Sequence, residues 1–446
     1  MAHGKIGPAN LQLQREVIFR KATFFFLGIL LFVIPWENAV VIDGFGTISR
    51  AVGIPAFGMA LLAILECGTL RMLAPQQIIM LVFLIWGGFT YFWTFSATAT
   101  VTSIYTLVQL FMLVWLIWEF AQSRKQQLLL LRAYMLGSIV SAVVTLLDFF
   151  HNTGLQSGGY SGLGFNPGDL AFILALAIPM SLYLAAHERR NILVWVDGSA
   201  AILASCAIVL TASRVLILAC IPTVLMFPFL FPKFRLGRNL LALVLLALAG
   251  IGSWLFLPES SWSRLSAIGT EITSGKLNET TMSSQIGWQV FRHAPFQGVG
   301  VGAYAPAVEH TLGSTSAVSA TETDWQAARL AAHNTFFSIL VEQGISGFGL
   351  FFALLVVLVL CAWELTKVDR LFWLCILMTW AIGALDMPWD QRKPTWFIFG
   401  LLISMAATKP LAEARSSATQ GPRGQGSEVR GEAPLSTEIS ISQGLS

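Results

Sequence analysis

Charge is what this sequence has least of. Only 11% of its 446 residues are Asp, Glu, Lys or Arg, while 55% are hydrophobic. A soluble domain carries roughly 25% charged residues, so this chain cannot clothe a globule of its length and needs lipid as its solvent. Cysteine is also sparse. Cys67, Cys206, Cys220, Cys361 and Cys375 lie in or beside apolar runs, with no CxxC or Cys/His spacing. That excludes a disulfide framework and a zinc-finger pattern, and leaves buried structural thiols. No small-x-small cleavage site follows the first apolar run, Ala22–Trp36, only Pro35-Trp36-Glu37-Asn38, so it reads as an uncleaved first span. The net charge of +3 is small, and no nucleic-acid partner is expected.

Long apolar runs, by contrast, are abundant. A span needs about 20 apolar residues, and twelve segments qualify: 22–38, 50–66, 76–95, 100–122, 128–150, 169–187, 192–211, 214–231, 239–257, 333–363, 370–386 and 394–408. The expected fold is therefore all-α, a polytopic transmembrane bundle of about 12 spans. Residues 1–21 form a cytoplasmic start, 22–257 hold nine spans, 258–332 form one long outer loop, and 333–408 hold three more spans. Residues 409–446, rich in Ser, Gly, Glu and Arg, read as a disordered cytoplasmic tail. With both termini inside, 19 of the 27 Lys and Arg residues fall on the cytoplasmic side, as the positive-inside bias requires. The outer loop carries Trp262, Trp288, Phe291, Phe296, Tyr304 and Trp325, too many aromatics for a linker, and short helices are expected in it.

The cations that break the bias are informative. They are Arg50, Arg214, Arg264, Lys276, Arg292, Arg329, Arg392 and Lys393. Arg214 ends an apolar run in Thr211-Ala-Ser-Arg, where a guanidinium is costly unless paired or facing a wet cavity; snorkelling to headgroups is the plain alternative. Arg264 and Arg292 lie in the outer loop, where an arginine is usually solvated surface. His333 opens the tenth span, as a cap or as a base with a pKa suited to neutral pH. Asp386, Asp390, Arg392 and Lys393 crowd the last outer loop, where they either pair with each other or line the mouth beside His333. Glu342 lies nine residues past His333, on the opposite face of a regular helix and about 14 Å deeper, so a helix–helix hydrogen bond suits it better than a shared site. Gly298-Val-Gly-Val-Gly302 lacks the strand–helix frame of a nucleotide loop and serves a tight turn or a close approach. Arginines match phosphate oxygens and keep their charge. With one histidine on the same side and no metal-ligand cluster, they suit transfer from a phosphate-bearing leaving group to a hydroxyl, without a divalent ion or other cofactor.

His333-Asn-Thr-Phe-Phe-Ser-Ile-Leu-Val-Glu342-Gln-Gly344-Ile-Ser-Gly347 resembles the signature of the O-antigen ligase and O-antigen polymerase superfamily. So do Asn166-Pro-Gly-Asp-Leu-Ala opening a span, Thr-Ala-Ser-Arg214 ending one, Trp288 followed by Pro295 and the glycine run to Tyr304, and a large outer loop before the histidine. The resemblance spans roughly residues 160–408. It implies a bacterial inner-membrane glycosyltransferase acting at the periplasmic face, inverting and metal-independent. The donor it implies is an undecaprenyl-diphosphate-linked glycan, and the acceptor a sugar hydroxyl on another glycan or on the lipid A core. By motif, His333 is the implied base and Arg214 a diphosphate contact; Arg264 follows by loop position. Members often carry an arginine shortly before the loop tryptophan, where this sequence has Gln285; Arg292, four residues after Trp288, is the expected substitute. Asp390 and Arg392 are further substrate-binding candidates. The competing class is a flippase or other polysaccharide transporter, for which Glu342 and Asp197 are the midplane candidates.

Overall fold

The computed structural model describes residues 8–230, apart from 43, 45, 69, 152, 154, 157 and 158, together with 279–315 and 334–419. The chain divides into two units, 1–408 and 409–446. The described residues are overwhelmingly helical. In order they form α1 (Pro8–Val33), a 3-10 turn (Ile34–Ala39), the hairpin β1 (Val41–Ile42) and β2 (Gly46–Thr47), α2 (Ile48–Cys67), α3 (Pro75–Phe89) and a 3-10 turn (Thr90–Trp93). There follow α4 (Ala97–Phe120), α5 (Arg124–Phe150), the hairpin β3 (Leu155–Gln156) and β4 (Gly159–Tyr160), α6 (Pro167–His187), α7 (Asn191–Leu210), α8 (Arg214–Leu218) and α9 (Ile221–Leu230). After the outer-loop helices α10 (Glu279–His293) and α11 (Tyr304–Thr315) come α12 (Thr335–Glu364), α13 (Lys367–Ala384) and α14 (Lys393–Thr419).

Eight of these helices, α1 to α7 and α12, are long and apolar enough to cross a membrane, against about twelve expected. The difference has local causes. The eighth expected span is broken into α8 and α9 by a turn at Ala219 and Cys220. The ninth, 239–257, lies outside the described residues. α13 carries Lys367, Asp369 and Arg370 in its first turn, and the expected twelfth span, 394–408, lies within α14, which ends at Thr419. The rest of the expected tail lies outside the described residues. The outer loop is helical where it is described, as α10 and α11.

α6 is the hub. It packs against α5, α7, α9 and α13, and Leu170–Leu184 are buried throughout. A helix that is apolar all round has no lipid face to offer and belongs inside. Its start is fixed locally: Asn166 caps it, accepting the Asp169 N–H at 2.7 Å, and Pro167 occupies the first turn, where its missing N–H costs nothing. α5 begins with a reciprocal Ser123–Gln126 capping box.

Ion pairs sort to the two ends of the bundle as the span order requires. At the basic end, Arg20 meets Glu119 at 3.3 Å and Arg124 meets Asp369 at 2.6 Å. Arg132 takes Glu188 at 3.0 Å and the fully buried Asp197 at 2.7 Å. At the opposite end, Lys393 meets Glu37 at 2.5 Å and Arg392 meets Asp169 at 2.8 Å.

Candidate functional site

Thr211-Ala-Ser-Arg214, Asn166–Asp169, the 385–392 turn and the start of α12 converge at the end opposite the basic one. Arg214 is the first residue of α8, with Ser213 at the N-cap position making no side-chain cap bond, and α8 packs on α6 and α13. Gly159 in β4 lies against the Thr211 carbonyl and Pro167, so the α7–α8 junction, the hairpin and the α6 start are in one contact group. Gly168 then admits the next element: a Cβ there would stand 2.7 Å from the Met387 sulfur. Behind it, Phe172 stacks on Trp389 with ring centroids 3.7 Å apart.

The 385–392 turn is latched to the start of α12. The Thr335 hydroxyl donates to the Met387 carbonyl at 2.6 Å and accepts the Trp389 N–H at 2.8 Å. Asn334 caps α12 through the Phe336 and Phe337 N–H groups. His333 immediately precedes this cap in sequence, but His333 and Arg264 lie outside the described residues, as does the side chain of Arg214.

The acidic and basic residues of the last outer loop do not pair only with each other. Lys393 is consumed by Glu37, which also accepts from Ser49 and Thr47. Arg392 reaches across to Asp169 in α6. Asp390 is buried at 3% exposure. Burial pushes its carboxyl up to about 6, with the Arg392 guanidinium acting the other way, and its charge reaches Glu342. Sequence reading passed over Asp169, Thr335 and Glu37. The first two sat inside motifs already noted. Glu37 ends the first apolar run, the signal that was available.

Glu342 is held by the backbone of the glycine loop and of Tyr304, the first residue of α11, with Ser338 from its own helix. Its Oε2 accepts the Gly302 N–H at 2.8 Å. α12 is not regular: Gly344 has φ 67° and ψ −173°, splitting the helix. The glycine run wraps the break, with Val299 N–H donating to the Val341 carbonyl at 3.1 Å and Gly300 N–H to the Glu342 carbonyl at 2.9 Å. A Cβ on Gly298 would overlap the Glu342 carbonyl, and one on Gly344 the Phe296 carbonyl. The close approach that these glycines permit is therefore to α12 itself.

On α10, Ile286, Val290 and Phe291 face inward while Gln285, Trp288 and Arg292 face out. Gly287 packs against Tyr304 and Phe337, level with the first turn of α12. Arg292 shares the face of Gln285 but lies seven residues on, about 10 Å along the axis, with its guanidinium 5.8 Å from the Trp288 ring. It is displaced along α10 towards the Gly344 break rather than standing level with the α12 start.

A family described as O-antigen ligase matches residues 199–352. That stretch, about a third of the chain, is similar to the O-antigen ligase family and supports the resemblance read from the sequence. No curated protein matches the chain. The O-antigen ligase region runs from the middle of α7, through Arg214, α10 and α11, to just past the Gly344 break in α12. It takes in Arg214, Arg264, Arg292, His333 and Glu342, and leaves out Asn166–Asp169 and the 385–393 turn.

Proposed function

We propose that the protein is an inverting, metal-independent glycosyltransferase of the bacterial inner membrane. It moves a glycan from an undecaprenyl-diphosphate donor to a sugar hydroxyl at the periplasmic face, as an O-antigen or polysaccharide polymerase or as an O-antigen ligase. The observation that carries the reading is the convergence at one end of the bundle of the Arg214 helix start, the α6 cap and the latch beside the α12 cap. Both termini are assigned to the cytoplasm by the charge bias, which puts this end outside.

In this reading the acceptor oxygen attacks the anomeric carbon from the face opposite the diphosphate. One C–O bond forms to the acceptor, the anomeric C–O bond to the diphosphate breaks with its electron pair staying on the diphosphate oxygen, and configuration inverts. His333 takes the acceptor proton, worth about 10²–10⁴ in rate. Arg214, with Arg264 and Arg292, stabilises the charge that gathers on the departing diphosphate. Against transport, Glu342 is bound to the Gly302 N–H and Asp197 is ion-paired with Arg132 near the basic end, so neither is a free midplane group.

The test is surface-glycan length in the native host carrying His333→Ala or Arg214→Ala. The reading expects loss of polymer or of ligated glycan at normal protein abundance. Full-length glycan from either variant would remove its catalytic assignment. Glycan retained on the cytoplasmic leaflet after deletion of the protein would favour a flippase.

A further inference from the structure

Asn166-Pro-Gly-Asp169 has no part in the reaction as described, Arg392 has been only a general substrate-binding candidate, and both lie outside residues 199–352. The structure nevertheless builds them into one device. Asp169 is a buried carboxylate, its side chain 7% exposed, and its oxygens are taken from three sides. The Trp389 indole N–H donates to Oδ1 at 2.8 Å, the Asn166 amide to Oδ2 at 3.0 Å, and the Arg392 guanidinium to Oδ2 at 2.8 Å. It also sits in the first turn of α6, where unpaired backbone N–H groups favour a negative charge. This carboxylate is locked, and it holds one nitrogen of Arg392.

Beyond that one nitrogen the side chain stays half open: Arg392 is 48% exposed. Its neighbour behaves oppositely, since Lys393 is 23% exposed and its ammonium is spent on Glu37. An exposed surface arginine ordinarily loses little by swinging free, and such bridges contribute little to stability. Here a buried, triply bonded acid fixes the head of an otherwise open fork. Five N–H donors in a rigid plane suit phosphate oxygens in pairs. The same turn that carries Arg392 is fastened by Thr335 to the start of α12, so the fork stands at the mouth where the proposed transfer occurs.

We propose that Arg392 is a further diphosphate-contacting residue of the donor site and that Asp169 is the residue that positions it. This rests on the glycosyl-transfer reading. It adds a second source of cationic contact, from the last outer turn, to that from Arg214 and the long loop. The phosphate chemistry has two possible sources, the polyprenyl diphosphate of the donor and the headgroups of surrounding lipid; the assignment is to the first.

The test uses the full-length protein in nanodiscs of zwitterionic lipid, with farnesyl diphosphate as the probe and farnesol as the uncharged control. Wild type should bind the diphosphate. Arg392→Ala and Arg392→Gln should weaken it by about tenfold, the scale of one charge-assisted hydrogen bond, and Arg392→Lys by less. Asp169→Asn keeps an acceptor for the Trp389 indole but drops the charge that holds Arg392; it should weaken diphosphate binding and leave farnesol unchanged. A purely structural pair would instead lower the melting temperature and both ligands together, which overturns the proposal. Unaltered diphosphate affinity in folded Arg392→Ala or Arg392→Gln overturns this inference alone. If phosphatidylglycerol displaces the probe from wild type but not from the variants, Arg392 belongs to a lipid headgroup instead. Failure of wild type itself to bind would overturn the transfer reading and this inference with it.

Discussion

The Thr335 hydroxyl accepts the Trp389 backbone N–H at 2.8 Å while donating to the Met387 carbonyl, tying the first turn of α12 to the turn between α13 and α14. Thr335 is fully buried, so no water replaces these bonds. Thr335→Val keeps the shape and strands one donor and one acceptor. It should cost about 1–3 kcal/mol per stranded group, read as a lower melting temperature, and should reduce glycan output more than Thr335→Ser.

Gly344 and Gly298 meet across the α12 break, each at positive φ and each with a backbone carbonyl where a Cβ would go. Gly344→Ala and Gly298→Ala should each lose folded protein, because the cost of a side chain at positive φ, about 1–3 kcal/mol, is joined by a backbone overlap that no side-chain motion relieves. Gly349, with open space around its Cα, is the control on the same helix. Gly349→Ala should be neutral in yield and melting temperature.

Most of this fold was legible in the sequence, and the exceptions are physical. Apolar runs announce helices because lipid enforces internal backbone hydrogen bonding: the expected runs 128–150 and 169–187 lie within α5 and α6, and 100–122 overruns the end of α4 at Phe120 by two residues. The break at Gly344 was hidden inside one unbroken apolar stretch, and only the wrapping of residues 298–302 makes it intelligible. The cluster Asp390, Arg392 and Lys393 was visible as a cluster, but Glu37 lies 356 residues from Lys393 and Asp169 223 residues from Arg392, and Glu342 also stands well apart from Asp390 in the numbering. No local pattern encodes such pairings. Arg292 was expected to stand in for an arginine at Gln285; it shares that exposed face of α10 but lies about two turns further along the helix.

Asp390 carries a pH signature. Its carboxyl is raised from 3.8 to about 6 by burial, so the folded state holds its proton more tightly than the unfolded chain does. Stability therefore falls as pH rises through that window. Asp390→Asn removes the charge. Its melting temperature relative to wild type should rise between pH about 4 and about 6 and level off above, with Asp390 the titrating group. A difference that is flat with pH would reject the assignment.

Arg132 at the basic end neutralises Asp197, which is wholly buried. Arg132→Ala leaves that carboxylate without its cation and should cost about 3–5 kcal/mol. The double variant Arg132→Met with Asp197→Leu should recover much of this. Both effects should appear in the melting temperature, while activity per folded molecule stays near wild type.

The central claim is that His333 removes a proton from a sugar hydroxyl while cations at the same mouth hold a departing diphosphate. The most direct measurement is single-turnover transfer by purified protein given a polyprenyl-diphosphate-linked repeat unit, with more repeat unit or lipid A core as acceptor, comparing wild type with folded His333→Ala. The account predicts inverted linkage from wild type, no requirement for divalent cation, and a rate about 10²–10⁴ lower in the variant. Transfer by His333→Ala at the wild-type rate, or product with retained configuration, would contradict it.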